Sequence, residues 1–416
     1  MTYFSMEDQR LIFDGLPLDQ IADRFGTPTY VYSAKALKEA FRAYDQAFAP
    51  VDHLICYAMK ANSNLSILKL FAEQGAGFDI VSGGELRRAL AVGAAPDKIV
   101  FSGVAKSVEE IKLALEVGVR CFNVESEAEL ERLDEIAGQL GKLAPISLRV
   151  NPDVDPKTHP YISTGLKDNK FGIAYADARR VYRKASGLQN LRIAGVDCHI
   201  GSQLTEIAPF EDALARLLNL HAELKEDGIQ LHHLDLGGGV GIRYSDEEPP
   251  AVSAYAEAIM TQLRGMDLQL VLEPGRSLVG NAGLLLTRVE YIKPGEAKNF
   301  AIVDAGMNDL IRPALYEAWH DIVPVCSQPD TPARVYDVVG PVCESSDFLG
   351  KDRTLAIHQG DCLAVLSAGA YGQTMSSNYN TRPRAAEVLI EAGAARLIRS
   401  RESYEQLLEN EKALLS

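Results

Sequence analysis

From about residue 52 to residue 275 the hydrophobic and polar positions repeat one unit, a short apolar run followed by a loop and an amphipathic stretch. Leu130, Leu133 and Ala137, for example, recur at three- and four-residue steps, which predicts a helix with one apolar face. The apolar runs that we predict to be strands are 54–58, 77–81, 99–101, 121–124, 146–150, 193–199, 231–236 and 268–273. Eight alternations of strand and helix predict a parallel sheet closed into a (β/α)8 TIM barrel, and an open doubly wound sheet is the alternative.

Two serines mark the predicted starts of helices between these strands. Ser107 with Glu110, and Ser126 with Glu129, have the spacing of a capping box. In that motif the serine hydroxyl and the acidic side chain each bind a backbone N–H of the first helical turn. We therefore expect both helices to begin directly after these serines.

The pattern changes after residue 280, where helical spacing fades. Runs rich in β-forming residues, at 284–292, 299–306, 333–340 and 361–371, are separated there by glycine, proline and aspartate turns. These runs predict a second, mostly antiparallel β domain over residues 278–416. We expect the barrel to cover residues 36–277 and the N-terminal segment, residues 1–35, to join the β domain.

Composition narrows the class of protein. A chain of 416 residues with 47% hydrophobic and 24% charged residues is typical of a globular protein of two domains. The net charge of −15 argues against binding to nucleic acid or to an anionic membrane surface. The six cysteines are dispersed and contain no CxxC pair, so we expect no disulfide framework and no metal site. The first residues, MTYFSMEDQR, do not have the pattern of a signal peptide. We expect a cytoplasmic protein with no membrane or nucleic-acid partner.

In a barrel of this kind the reacting groups lie at the carboxyl ends of the strands, and unusual residues follow several of the predicted strands. Lys60 follows the first strand in the segment YAMKAN. A lysine there is usually a solvated loop residue, but a desolvated amine can form an imine. His199 follows the sixth strand, and it is either a hydrogen-bonded core histidine or a ring that stacks on a flat cofactor.

Three further strand ends carry groups suited to a phosphate and a pyridine ring. The glycine run with Gly238 and Gly239 allows close backbone approach to an anion, although such a run is often only a tight turn. Glu273 in LEPGR could keep a ring nitrogen protonated, whereas a surface pair with Arg276 is the ordinary alternative. The remaining candidates near this site are Ser202 and Arg276 for a phosphate, Arg276 also for a substrate carboxylate, and Asp79 as a supporting carboxylate or a helix cap.

The β domain contributes candidates of its own. Arg312 and Tyr316 lie four residues apart, on one face if the segment is helical. Cys343 and Glu344 stand in the polar turn GPVCESSD, which is unlike the surroundings of a buried packing cysteine. Tyr371 follows a strand in a polar string, and its ordinary role would be a half-buried aromatic whose hydroxyl meets water.

Taken together, these segments resemble diaminopimelate decarboxylases, which belong to the alanine-racemase-like, fold type III group of pyridoxal-phosphate enzymes. The resemblance rests, in chain order, on YAMKANSN, FDIVSGGEL, HPYISTG with KFG, CHIGSQ, LGGGVG, LEPGR, GPVCESSD and GAYGQTMSSNYN. It covers nearly the whole chain. The lysine strand and EPGR are shared with ornithine and arginine decarboxylases. The more specific pieces are the loop with His159, Ile162, Thr164 and Gly165 and the turn Cys343-Glu344-Ser345.

The resemblance implies decarboxylation of meso-2,6-diaminopimelate to L-lysine and CO2, the last step of lysine biosynthesis, with pyridoxal 5'-phosphate as cofactor. It implies that Lys60 holds the cofactor as a Schiff base, that His199 stacks on the ring and that Glu273 pairs with the ring nitrogen. The other cofactor-binding residues it implies are Asp79, Ser202, Gly238, Gly239, Gly275, Arg276 and Tyr371. The substrate-binding residues it implies are Arg276, Arg312, Tyr316, Glu344 and Tyr371. Cys343 would donate a proton and would come, with Glu344, from the neighbouring subunit of a homodimer.

Three other functions remain open from the sequence. A decarboxylase of ornithine or arginine on the same fold would act on a substrate without a distal carboxylate, so that Arg312 and Arg276 would face nothing anionic. A catalytically silent relative should have lost the lysine, the glycine run or the cysteine, and the sequence retains all three. A cofactor-free barrel enzyme would need every candidate above to have its ordinary structural role.

Overall fold

The computed structural model describes residues 3–154 and 170–415, so the loop with His159, Ile162, Thr164 and Gly165 lies outside the described residues. The strands are, in chain order, β1 Phe4–Glu7, β2 Arg10–Phe13, β3 Leu16–Pro17, β4 Thr29–Ser33, β5 His53–Ala58, β6 Gly77–Ile80, β7 Ile99–Phe101, β8 Cys121–Val124, β9 Ala144–Asn151, β10 Ile173–Ala174, β11 Leu191–Asp197, β12 His233–Asp235, β13 Gln269–Leu272, β14 Gly283–Lys293, β15 Asn299–Val303, β16 Ile322–Pro324, β17 Arg334–Val339, β18 Phe348–Leu355, β19 Cys362–Val365, β20 Ala386–Glu391 and β21 Ala394–Arg399. The helices are α1 Leu18–Phe25, α2 Ala34–Phe48, α3 Leu65–Glu73, α4 Gly83–Ala91, α5 Val108–Val117, α6 Glu127–Leu140, α7 Tyr175–Ser186, α8 Ala208–Glu226, α9 Val252–Gln262, α10 Arg276–Val279, α11 Arg312–Tyr316 and α12 Tyr404–Lys412.

Residues 40–242 and 248–277 form one unit of the chain, a closed barrel of parallel strands. The strands follow the order β5, β6, β7, β8, β9, β11, β12 and β13, and β13 pairs with β5 to close the ring. All eight predicted strands are present, so the closed barrel is confirmed and the open doubly wound sheet is wrong. Strands buried on both faces read as continuous apolar runs, which is why the sequence pattern located them.

The barrel interior contains a layer of neutral polar side chains. The Ser147 hydroxyl lies 2.8 Å from Nε2 of His233 and 3.1 Å from Sγ of Cys121, and all three side chains are buried. Burial lowers the pKa of His233 to about 3, which keeps the imidazole uncharged inside the barrel. Gly195 makes room for this ring, because a Cβ at that position would lie 2.4 Å from it.

The two predicted capping boxes differ. At the start of α5 the Ser107 hydroxyl accepts the Glu110 N–H and the Glu110 carboxylate accepts the Ser107 N–H, so this box is complete. At the start of α6 the Ser126 hydroxyl accepts the Glu129 N–H, but the Glu129 carboxylate binds the Glu125 N–H instead. The second reciprocal bond was therefore predicted wrongly, because Glu129 is drawn to the buried Lys106 ammonium, 2.6 Å away.

The second unit comprises residues 1–39, 243–247 and 278–416. Its largest sheet has the strand order β18, β17, β15, β14, β4, β20 and β21. Most neighbours are antiparallel, and the exceptions on this path are β15 with β17 and β4 with β20. The predicted mostly antiparallel β domain is thus confirmed, and β4 from the N-terminal segment lies inside its sheet. No helix in residues 3–154 or 170–415 combines the length and apolarity needed to span a bilayer.

Candidate active site

Lys60 lies in a short turn, Met59–Ala61, directly after β5. Its Nζ is 3.2 Å from Oδ2 of Asp79, a residue of the neighbouring strand β6. The Asp79 side chain is fully buried, whereas 37% of the Lys60 side chain is exposed. The amine is therefore held at the carboxyl end of the barrel strands by a buried carboxylate and does not extend freely into solvent. Asp79 does not cap a helix, because Ser82 is the N-cap of α4.

His199 follows β11 as a half-buried ring. The Gly238 N–H donates to its Nδ1 over 3.3 Å, which leaves the ring proton on Nε2 in the neutral form. Burial, the Lys60 ammonium and the Arg149 guanidinium hold the pKa of His199 well below its usual value. A neutral, flat imidazole suits stacking on an aromatic ring, since it brings no charge with it.

Glu273 follows β13 and is 5% exposed. Its Oε1 accepts a hydrogen bond from the Asn123 amide over 3.3 Å. One carboxylate oxygen from each of Asp197, Asp235 and Glu273 lies within 4.8 Å of those of the other two. Burial first, and then the charge of Asp235, raise the pKa of Glu273 well above its usual value. This carboxyl group therefore lies in a buried cluster with two other acids, which favours its protonated form.

The glycine run after β12 packs its backbone tightly against neighbouring strands. A Cβ at Gly238 would lie 2.2 Å from the carbonyl oxygen of Glu273, and Gly239 has a φ of +126°. Arg276 begins α10, is 6% exposed and donates from Nε and Nη2 to the Ser202 hydroxyl over 3.3 and 3.1 Å. The glycine-rich backbone, a hydroxyl and a guanidinium thus lie together at one end of the barrel mouth, a combination suited to a phosphate.

These groups fit pyridoxal phosphate. A Cβ at Gly275 would lie 3.2 Å from both Ala58 and Ala61. The turn that leads into Arg276 therefore packs closely against the turn that carries Lys60. The barrel unit thereby supplies an amine, a buried acid for a ring nitrogen, a neutral imidazole and an anion-binding corner. Lys60, Asp79, His199, Ser202, Gly238, Gly239, Glu273, Gly275 and Arg276 all lie at the carboxyl ends of the barrel strands.

In the β unit, Arg312 and Tyr316 are the first and last residues of α11, so the condition for their lying on one face, a helical segment, is met. The Arg312 guanidinium is buried 4.6 Å above the ring of Tyr244. Its Nη1 lies 2.9 Å from Nε2 of His320, whose Nδ1–H donates to the Leu366 carbonyl. Arg312 is therefore oriented by an aromatic face and a neutral histidine, while Tyr316 is half-buried.

Cys343 and Glu344 are both exposed, in agreement with their polar sequence context. The Cys343 N–H donates to Oδ1 of Asn380 over 2.8 Å, and the Ser345 N–H donates to Oε1 of Glu344 over 3.0 Å. These bonds fix the backbone of the turn and leave the thiol at the surface. Tyr371 is half-buried and has a φ of +55°, an uncommon conformation for a residue with a side chain.

Sequence reasoning missed several polar residues inside the barrel. Asp197 and Asp235 stand on neighbouring strands, and the buried Arg149 binds Glu125 over 3.2 Å. Each lies in a segment that was otherwise read as an apolar strand, as in GVDCH and HLDLG. A charged residue at the end of such a run is the only signal that the sequence offered.

Comparisons with known proteins agree with this arrangement. Residues 34–280 match the family model described as pyridoxal-dependent decarboxylase, pyridoxal binding domain. The chain is 59% identical over 414 residues to diaminopimelate decarboxylase of Pseudomonas aeruginosa, and 57% identical over 416 residues to that of Vibrio cholerae. Each alignment covers 100% of both chains.

Solved structures give the same picture. Diaminopimelate decarboxylase of Helicobacter pylori, complexed with L-lysine, aligns with a TM-score of 0.92 at 45% identity, covering 96% of this chain and 100% of that one. The enzyme of M. jannaschii in co-complex with L-lysine aligns with a TM-score of 0.93 at 42% identity, covering 98% and 97%.

Proposed function

The chain belongs to the diaminopimelate decarboxylase family, and from that premise we propose that it converts meso-2,6-diaminopimelate to L-lysine and CO2 with pyridoxal 5'-phosphate. The single observation that best supports this proposal is the set of groups at the barrel mouth, where Lys60, His199 and Glu273 stand together with the glycine run. When bound, the cofactor supplies an electron sink for the carbon that loses its carboxylate. We also propose domain boundaries near residues 35 and 277.

Within this proposal each residue of the barrel has a defined task. Lys60 forms the covalent bond to the cofactor, and Asp79 orients its amine beforehand. Glu273 accepts the hydrogen bond of the ring nitrogen and holds its proton, while neutral His199 covers one face of the ring. Ser202, Gly238, Gly239, Gly275, Arg276 and Tyr371 bind the phosphate, and Arg276 also reaches the substrate.

The β unit provides the groups that would select the substrate. Diaminopimelate carries an ammonium and a carboxylate at the end distant from the reaction. The oriented guanidinium of Arg312 would bind that carboxylate, Glu344 would bind the ammonium, and Tyr316 would line the same subsite. Ornithine and arginine have no distal carboxylate, so a decarboxylase acting on them would leave the buried charge of Arg312 without a substrate partner.

We propose that the active site is completed by a second copy of the chain. Cys343 and Glu344 are exposed on the turn after β17, where a partner subunit could use them. When the C–C bond breaks and CO2 leaves, the Cys343 thiol would give its proton to the same carbon, and solvent would return it. The six free cysteines fit the cytoplasmic location that we propose.

Two experiments test these proposals. In the first, the same preparation is assayed with meso-diaminopimelate, ornithine and arginine, and turnover should be measurable only with meso-diaminopimelate. Comparable turnover of ornithine would contradict the substrate assignment.

The second experiment tests the shared site. Lys60→Ala and Cys343→Ala proteins, each of low activity, are mixed, dissociated and reassociated. A shared site predicts that about a quarter of the wild-type activity returns, because half of the dimers are mixed and each mixed dimer has one intact site of two. No recovery would contradict the shared site.

A further inference from the structure

The side chains of Tyr244, Arg312 and His320, here called the Arg312 cluster, are all buried within the β unit. The Arg312 guanidinium lies over the face of the Tyr244 ring, 4.6 Å from its centre. The rings of Tyr244 and His320 meet edge to face, with their centres 5.2 Å apart. His320 also lies at hydrogen-bond distance from the guanidinium, so two different rings limit the orientations that Arg312 can adopt.

The hydrogen bonds of His320 define which of its ring nitrogens carries the proton. Nδ1 lies 2.9 Å from the Leu366 carbonyl oxygen, which can only accept, so Nδ1 carries the proton. Nε2 lies 2.9 Å from Nη1 of Arg312, which can only donate, so Nε2 carries the lone pair. His320 is therefore an uncharged acceptor for Arg312, because a second ring proton would point one N–H at another.

The backbone around the Arg312 cluster holds both rings in place. The Leu366 N–H donates to the Asp321 carbonyl over 2.8 Å, which extends the pairing of β16 with β19 by one step beside His320. The Tyr244 N–H donates to Oε2 of Glu247 over 2.9 Å. Each ring is thus fixed by hydrogen bonds of its own segment and presents a defined surface to the guanidinium.

We infer that His320 is a positioning residue for substrate selection, which orients the Arg312 guanidinium as an uncharged acceptor and leaves its positive charge for the distal carboxylate of the substrate. A carboxylate at position 320 would also orient the guanidinium, but it would form an ion pair with it and compete with the substrate. Both the place and the neutrality of this side chain therefore matter. The inference rests on the proposed role of Arg312.

Three replacements at position 320 separate orientation from charge. His320→Gln keeps an uncharged acceptor that can reach the place of Nε2. His320→Glu keeps an acceptor and adds a negative charge, and His320→Leu offers neither. His358→Leu, at an exposed histidine of the same unit, is the matched control. All variants are compared as full-length holoenzyme.

The first measurement is steady-state kinetics with meso-diaminopimelate. His320→Leu should raise KM by about 5- to 50-fold, because the guanidinium loses an acceptor that orients it. His320→Gln should return KM to within about threefold of the wild type, and kcat should change less than KM in both variants. His320→Glu should raise KM at least as much as His320→Leu, since the charge of Arg312 is then neutralised, and His358→Leu should leave KM unchanged. Equal KM values for His320→Gln and His320→Glu would overturn the inference.

The second measurement combines His320→Leu with Arg312→Met in one protein. A residue that acts through Arg312 adds nothing once the guanidinium is absent, so the double variant should have the same KM as Arg312→Met alone. A further rise of KM in the double variant would contradict a role through Arg312. An Arg312→Met protein with the wild-type KM would instead overturn the proposed role of Arg312 itself.

The third measurement is made without cofactor or substrate and does not depend on the proposed function. Nitrogen-15 spectra of histidine-labelled protein are recorded at about pH 7, and His320→Gln identifies the signals of His320. They should be those of a neutral ring with its proton on Nδ1. A ring protonated on Nε2, or on both nitrogens, would overturn the inference, because it could not accept a hydrogen bond from Arg312.

Discussion

The Lys60 amine and the Asp79 carboxylate form an ion pair of 3.2 Å at the carboxyl end of adjacent barrel strands. The aspartate is fully buried and the lysine is not, so the pair is anchored from the inside of the barrel. A lysine held in this way is oriented before any cofactor arrives. This preorganisation is what distinguishes Lys60 from a solvated loop lysine, and it could not be read from the segment YAMKAN alone.

A buried lysine in the same unit gives a stability prediction. Lys106 Nζ contacts Glu129 at 2.6 Å and the carbonyls of Gly103 and Asn123 at 2.8 Å each. Lys106→Met should lower the free energy of unfolding by about 3–5 kcal/mol, because it leaves the Glu129 charge buried and unpaired. Urea unfolding measures this. Lys112→Met breaks only an exposed pair with Glu109 and should cost less than about 1 kcal/mol, and equal effects would contradict the account.

The close approach of the glycine run to β13 gives a prediction for cofactor affinity. In Gly238→Ala the new Cβ meets the Glu273 carbonyl oxygen at 2.2 Å, so the loop must move away from its anion-binding position. We expect the dissociation constant of pyridoxal phosphate, measured by absorbance titration, to rise by about tenfold or more, which corresponds to about 1.4 kcal/mol. Gly84→Ala in α4 meets nothing closer than 3.6 Å and should leave the affinity unchanged. An unaltered affinity in Gly238→Ala would argue against this phosphate corner.

The neutral histidine inside the barrel predicts a pH dependence of stability. The pKa of His233 is lowered to about 3 in the folded protein by burial, against about 6.5 in an unfolded chain. The unfolded state therefore binds a proton that the folded state does not, and stability is lost as the pH falls from about 6.5 toward 3. This one residue should weaken the folding equilibrium by about tenfold per pH unit in that window.

His233→Gln, which still offers a hydrogen bond to Ser147, should remove that contribution from the pH dependence of urea unfolding. His232→Gln alters an exposed neighbour and should preserve the slope. If both variants keep the wild-type slope between about pH 4 and pH 6, His233 is not the group that titrates.

Arg312 gives a prediction for substrate recognition. Arg312→Met should raise the KM for diaminopimelate by about 10- to 100-fold, since a charge-assisted bond of about 1.5–3 kcal/mol is lost. Steady-state kinetics with the purified enzyme measure this. Arg334→Met, at an exposed arginine of the same unit, is the control and should leave KM unchanged. A change in kcat with an unaltered KM would count against a binding role.

The sequence predicted the barrel better than the β unit, for a physical reason. Parallel strands covered on both faces are continuous apolar runs, and all eight were found. Strand β18 was missed because exposed Lys351 and Asp352 interrupt it, and Asp352 adopts a positive φ of 53°. The edge strand β21 was missed because its residues are largely exposed, so its apolar pattern is weak.

The same limit applies to the site. Lys60, His199 and Glu273 were singled out because each follows an apolar strand, and their proximity followed from the barrel. Asp197 and Asp235 carry no such signal, because each lies inside a strand and not after it. Their proximity arises from the register of β11 and β12, which the linear sequence does not contain.

The central claim is that Lys60 holds the cofactor covalently, and peptide mass mapping after borohydride reduction tests it most directly. The protein is loaded with pyridoxal phosphate, reduced and digested, and each lysine peptide is weighed. We predict that the added mass of the reduced cofactor is found on the peptide with Lys60, and that a Lys60→Ala protein treated in the same way carries none. Stoichiometric label on a different lysine, or retained label in Lys60→Ala, would contradict the account.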